Sequence, residues 1–223
     1  MTEFYDPSIF NVDSVDQAKR IILTPDGIHT PEERWVKETA YLLDLIGSWI
    51  PIRDATCLDY GCGIGRLAKP LIEQRYWSVL GVDISLSMRS QAVHYVNSPS
   101  FVACDPLSID LLTRFGVQFD VAIAIWALQH VDNVFDNVAR IKKVLKPGGR
   151  LFVLNAAQRF VPVRRDDVSP TAMMSPWVDD GVSVLDLLAN EFVQLRLEMP
   201  DSSVVPGPNA FWGVYEKECR LPS

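Results

Sequence analysis

Residues Thr56 to Leu71, TCLDYGCGIGRLAKPL, constrain the fold more than any other stretch, because sixteen residues carry a strand, a glycine turn and a helix start. Cys57 and Leu58 belong to an apolar strand that ends at Asp59. Gly61, Gly63 and Gly65 then let the backbone turn sharply and approach a ligand closely. Arg66 to Gln74 reads as the following helix. Such a unit presents unpaired backbone N–H groups at a helix N-terminus, a place for a nucleotide-like ligand or a carboxylate.

A dinucleotide fingerprint reads GxGxxG and takes a pyrophosphate. Here the order is Asp59-Tyr60-Gly61-Cys62-Gly63-Ile64-Gly65, with an acid before the loop and the third glycine one residue early. In this pattern the chain resembles the class I S-adenosylmethionine-dependent methyltransferases. The resemblance implies that Asp59 orients the loop and receives the methionine ammonium, directly or through water. It also implies that the backbone from Gly61 to Gly65, with Cys62, meets the aminoacyl part of the cofactor.

The next segments extend the resemblance in order. Ser78 to Asp83 is a short apolar strand ending in an acid, eighteen residues beyond Gly65. A fixed carboxylate there can accept hydrogen bonds from two ribose hydroxyls. The family assigns this role to the matching acid, which makes Asp83 the ribose ligand and Ile84 a flank of the adenine; a solvated strand-end aspartate is the alternative. Phe101 to Asp105 repeats the strand-plus-acid pattern. By resemblance Asp105, with Pro106 beside it, meets the adenine amino group. The following proline leaves a plain turn role open. Phe119 to Ile125, FDVAIAI, is apolar enough for a central parallel strand covered on both faces. Its carboxyl end carries Ile125, Trp126 and, four residues on, His130. Ligands bind at that edge of such sheets. Ile125 and Trp126 are therefore cofactor candidates, although Trp126 serves equally well as core packing. Asp132 to Leu145 has helical spacing, Lys146-Pro147-Gly148-Gly149 stops it, and Arg150 to Asn155 is a fifth strand. The string LKPGGRLFVLN is a further family landmark, so the resemblance spans about residues 56 to 155.

The flanks are less regular. Asp13 to Ile22 suits a short helix. Thr30-Pro31-Glu32-Glu33 is a capping box with proline at the first helical position, and Trp35, Leu42, Leu43, Ile46 and Trp49 then mark one apolar face. That face either packs on the sheet or also caps the cleft through Tyr5, His29 or Trp35. Residues 156–181 form a 26-residue break with three prolines, the length of a lid or binding segment. Within it Arg159, Arg164 and Arg165 suit either an anion clamp or a solvated run paired with Asp166 and Asp167, and Met173, Met174 and Trp177 suit an apolar lid or simple packing. Val182 to Phe192 reads as a helix. Val193, Leu195, Leu197 and Met199 alternate with polar residues as in a strand with one buried face near a sheet edge, and Asn209 to Glu218 returns as an antiparallel partner.

The expected architecture is α/β: a doubly wound, seven-stranded, mostly parallel sheet with an antiparallel last strand and helices on both faces. One methyltransferase domain is expected over residues 1–223, with a helical cap (1–50), a cofactor-binding core (51–155), a lid-like insertion (156–181) and a closing helix and hairpin (182–223). A net charge of −7 argues against a broad polyanion-binding face. No apolar run reaches a membrane span and no signal-peptide pattern opens the chain, which predicts a cytoplasmic protein without membrane or nucleic-acid partners. Four cysteines without a CxxC pair, and no acid cluster, predict no metal. The motif of exocyclic-amine base methyltransferases after the fourth strand is absent, since Ile125-Trp126-Ala127-Leu128 stands there.

The resemblance implies methyl transfer from S-adenosylmethionine, leaving S-adenosylhomocysteine, to a small-molecule acceptor by in-line displacement. His130 is the candidate base because its ordinary pKa lies near neutrality; shaping the site or touching the cofactor is its other role. Two rivals remain open, a non-catalytic S-adenosylmethionine-binding regulatory protein and a nucleotide-dependent oxidoreductase. The glycine spacing and the antiparallel ending disfavour the second.

Overall fold

The structure is a computed structural model that describes residues 4–23, 29–164, 177–207 and 209–219. Its centre is a seven-stranded sheet built from β2 (Thr56–Tyr60), β3 (Ser78–Val82), β4 (Phe101–Cys104), β5 (Phe119–Ile125), β6 (Leu145–Ala156), β9 (Val193–Glu198) and β10 (Ala210–Glu216). The order is β4-β3-β2-β5-β6-β10-β9. The pairs from β4 to β6 are parallel, and β10 runs antiparallel to both β6 and β9. This is the expected α/β sheet, with β10 inserted between β6 and the edge.

Alternation along each strand sends side chains to two separate cores, because successive residues point to opposite faces. Leu58, Ala122, Ala124, Leu151 and Val153 pack under α5 (Ser108–Arg114), α6 (Val134–Val144) and α7 (Val184–Glu191). Cys57, Val121, Ile123, Phe152 and Leu154 pack under α2 (Pro31–Trp49), α3 (Ala68–Arg75) and α4 (Leu86–Val96). The helix α2 starts where its capping box predicts: Thr30 Oγ1 accepts from Glu33 N, and Glu33 Oε2 accepts from Thr30 N. A third cluster joins Val12, Ala18 of α1 (Val15–Ile22) and Leu23 to Trp35, Ile64 and Met88, which seats the N-terminal segment on the glycine loop. Among the described residues no helix is long and apolar enough to cross a membrane.

Three expectations need correction. The break after Ala156 is not irregular throughout: β7 (Val161–Arg164) pairs antiparallel with both β1 (Phe4–Tyr5) and β8 (Trp177–Val178), forming a small second sheet. Strands of two to four residues carry no readable period, and β1 and β7 come from opposite ends of the chain. Arg159 is not part of a solvated charge run. It is 2% exposed, with Nη1 on Asp180 and Nη2 donating to the carbonyls of Val131 and Asp132; Arg165, Asp166, Asp167, Met173 and Met174 lie outside the described residues. The alternation in β9 does not bury one face either, since Val193, Leu195 and Met199 stay exposed while Leu197 alone packs on the core. As the sheet's outermost strand, β9 lacks a neighbour on one side.

Candidate active site

One cavity of about 1090 Å³ opens along the carboxyl ends of β2, β3, β4 and β5. Parallel pairing places those ends side by side, with Tyr60 opposite Val82 and Val82 opposite Cys104. The glycine loop forms its floor. Gly61 N and Cys62 N both donate to Val82 O, at 2.7 and 3.0 Å, which folds the chain back against β3. Gly61 has φ +78°, and a Cβ there would lie 2.3 Å from Ala127 Cβ, so only glycine lets this turn pass the segment after β5.

Asp83 stands at the head of β3. Its Oδ2 accepts from Gly63 N and its Oδ1 from Ser85 N, each at 2.9 Å, so the carboxylate is fixed between the glycine loop and the start of α4. Burial raises its pKa. Ile84, 41% exposed, lies beside it on the cavity wall. Asp105 and Pro106 also line the cavity, but Asp105 is engaged locally: Leu107 N, Ser108 N and Ser108 Oγ donate to it, and the Ser108 hydroxyl with these backbone bonds lowers its pKa. In this structure Asp105 makes the turn bonds that its proline neighbour left open.

Asp59 and Cys62 do not face the main cavity. They line an adjoining void of about 20 Å³ with Arg66. The Asp59 carboxyl is 4% exposed and burial pushes its pKa up to about 7, against the pull of the Arg66 guanidinium. Arg66 Nη1 is buried and, among the described residues, has no hydrogen-bond partner. The void is of the size that holds one water. Burial also holds the Cys62 thiol protonated. Gly65 serves packing: at φ +82° it meets Val96, whose Cγ2 would lie 2.4 Å from a Cβ.

The N-terminal helix reaches this floor through a carboxylate that was not evident from the sequence. Glu38, fully buried, accepts from Arg34 Nη2 at 3.0 Å, Arg66 Nη2 at 3.1 Å and Trp126 Nε1 at 2.9 Å. Trp126, left-handed at φ 55°, is thereby held at the end of β5 next to Ile125, and both line the cavity. A signal existed. Glu38 falls at helical spacing between Trp35 and Leu42, on the apolar face, where a lone glutamate requires buried partners.

The opposite end is built from remote segments. Tyr5, Phe10, His130, Phe160 and Trp177 line it, and the small β1-β7-β8 sheet brings the first and last together. Trp35 packs instead against Tyr95, with ring centroids 6.0 Å apart. His130 Nδ1 donates to Phe160 O at 2.7 Å, which leaves Nε2 as acceptor for the Gln129 amide at 2.9 Å. Gln129 is fixed in turn, because its Oε1 accepts from Ala156 N at 2.7 Å. Burial lowers the His130 pKa, so the ring is neutral at pH 7. Tyr60 donates to Asn137, which donates to Asp132 at 3.1 Å, tying β2 to the start of α6.

Two outcomes follow. Glu38→Ala removes the acceptor that Arg34, Arg66 and the Trp126 indole share, leaves the buried Arg66 guanidinium without its carboxylate, and is expected to cost about 3–5 kcal/mol in urea unfolding. Asp59 binds a proton in the folded chain at pH values where the unfolded chain has lost it. Its contribution to stability is therefore present below about pH 4 and is lost as pH rises through about 7. Asp59→Asn is expected to flatten this part of the stability–pH curve in chemical denaturation.

Comparison with known proteins falls on the same core. Residues 58–153 match the family model of a methyltransferase domain. The chain is 27% identical over 172 residues to a malonyl-[acyl-carrier protein] O-methyltransferase of Enterobacter lignolyticus, covering 73% of this chain and 65% of that one. It is 32% identical over 127 residues to a ubiquinone biosynthesis O-methyltransferase of Xylella fastidiosa, covering 56% and 51%. It thus spans no more than two thirds of either relative's length. Among solved structures, magnesium protoporphyrin IX methyltransferase from Synechocystis PCC 6803 with bound SAM shares the fold, with a TM-score of 0.61 at 19% identity over 95% of this chain and 94% of that one. The family match runs from β2 into β6, through the glycine loop and the parallel half of the sheet, and over these residues the chain is similar to a methyltransferase domain.

Proposed function

We propose that the protein transfers the methyl group of S-adenosylmethionine to a small-molecule acceptor by direct in-line displacement, with its N-terminal cap (1–50) and 156–181 insertion serving the acceptor side of one domain. The observation that carries this reading is the continuity of one cavity from the glycine loop, past Asp83, to His130. Its volume exceeds the usual range for one small ligand, about 300–1,000 Å³, and so leaves room for an acceptor beside the cofactor.

The residues present suit the cofactor. Gly61 lines the cavity without a side chain, and beneath the loop the Asp59 carboxyl and Arg66, whose Nη1 has no hydrogen-bond partner among the described residues, line the adjoining void. In this reading Asp59, through a water, and the backbone at Gly61 to Gly65 with Cys62 meet the methionine end. Asp83 holds the ribose, Ile84 and Pro106 flank the adenine, Asp105 faces its amino group, and Ile125 and Trp126 wall the channel. Bound S-adenosylmethionine supplies an electrophilic methyl group on a sulfonium sulfur. The chain's own contribution is alignment and exclusion of water. His130 forms part of the acceptor wall, and proton transfer at Nε2 requires the Gln129 amide to move aside.

Incubation with methyl-labelled S-adenosylmethionine and a size-fractionated cell extract tests the reading. Label is expected in the small-molecule fraction; label in macromolecules overturns the acceptor class. Asp83→Ala removes an acceptor of charge-assisted hydrogen bonds and is expected to weaken cofactor binding by about 10- to 100-fold in calorimetry. His130→Ala is expected to lower turnover with cofactor affinity retained, and unchanged turnover rules out a base role.

A further inference from the structure

The acceptor end of the cavity has a chemical character of its own. Phe10, His130 and Trp177 form a continuous aromatic wall, with ring centroids 5.9 Å apart for Phe10 and His130, 6.2 Å for Phe10 and Trp177, and 4.8 Å for His130 and Trp177. Beside it stand Tyr5 and Asp132; burial, and after it the Asp132 carboxylate, raises the phenol's pKa. Asp132 Oδ1 accepts from Asn137, and among the described residues no side chain donates to its second oxygen.

The cations at this end are already engaged. Arg159 is held by Asp180 and by the carbonyls of Val131 and Asp132, and Arg140 Nε reaches Asp110 Oδ2 at 3.4 Å. The remaining lining cations, Arg20 and Arg34, lie on α1 and α2 at the glycine-loop end, where Ile22 covers Gly63. His130 is neutral with both ring nitrogens in hydrogen bonds. The acceptor end therefore offers aromatic faces beside a carboxylate, Asp132, that can pair with a cation or take a proton.

From this arrangement we infer that the acceptor is an amine, methylated on nitrogen to a cationic product; the inference rests on the methyltransferase reading above. Aromatic faces beside a carboxylate favour a cation over an anion. An amine that arrives protonated gives its proton to Asp132 or to water and then reacts as the free base. Its lone pair forms the nitrogen–carbon bond as the carbon–sulfur bond breaks, the electron pair of that bond stays on sulfur, and the positive charge passes to nitrogen. Any proton the nitrogen carried then leaves to water. The aromatic faces attract the resulting cation, and Asp132 adds a Coulombic pull.

The test is direct binding to protein saturated with S-adenosylhomocysteine, measured by calorimetry. The probes are choline, its uncharged isostere 3,3-dimethylbutan-1-ol, and benzoate. Choline is expected to bind about tenfold more tightly than the isostere, and more tightly than benzoate. Trp177→Leu and Asp132→Asn are each expected to shrink that preference while S-adenosylhomocysteine affinity stays unchanged, which also reports an intact fold. Equal affinity for choline and the isostere, tighter binding of benzoate, no measurable choline binding, or a preference insensitive to both substitutions overturns the amine acceptor and leaves the methyltransferase reading standing. Failure of S-adenosylhomocysteine itself to bind overturns both.

Discussion

The candidate site depends on one buried carboxylate. Glu38 lies on a helix that the sheet does not need for its own hydrogen bonding, yet it receives donors from its own helix, from the residue after the glycine loop and from the end of β5. A charge removed from water is tolerated only when such donors surround it, and the geometry that satisfies it is narrow. Loop, strand end and N-terminal helix are thereby fixed against one another. The Trp35 ring reinforces the arrangement, with the Arg66 guanidinium 5.7 Å from its centroid.

Above this floor, the two ends of the cavity differ in the side chains that line them. At the glycine-loop end Arg34 lines the cavity, and the adjoining void beneath holds Arg66 and Asp59, whose pKa burial raises to about 7. That mixture suits a zwitterion such as an amino acid. The other end is aromatic, with a neutral histidine locked by Phe160 and Gln129. Hydrogen bonds among Gln129, His130 and Ala156 couple the loop after β5 to the end of β6, so the histidine's orientation follows from strand pairing.

The core was legible because its signals are local. A strand, an acid and a glycine turn lie within sixteen residues of Thr56–Leu71, and each later strand of the parallel half ends in a residue that reaches the cleft or its rim. Asp83 was legible for this reason. The local hydrogen bonds of Asp105 were visible only as an alternative, in the proline that follows it. Glu38 and Arg159 were missed or misread for a common cause. Each is a charged side chain whose partners are distant in sequence, and composition places such residues on the surface by default. The alternation in β9 misled in the other direction, since periodicity records a preference for one face but not whether anything covers it.

The sequence by itself determined the seven strands of the main sheet in chain order, the turn that needs glycine, the capped start of α2 and the strand-end acids, all of which depend on backbone preferences or periodicity over a few residues. Only the tertiary structure decided that Phe4–Tyr5 pairs with Val161–Arg164, that Arg159 is buried, and that Phe10, His130 and Trp177 meet in one wall. Those contacts join residues up to 167 positions apart. Their stability comes from burial and pairing that exist only once the sheet has formed, so no local pattern records them.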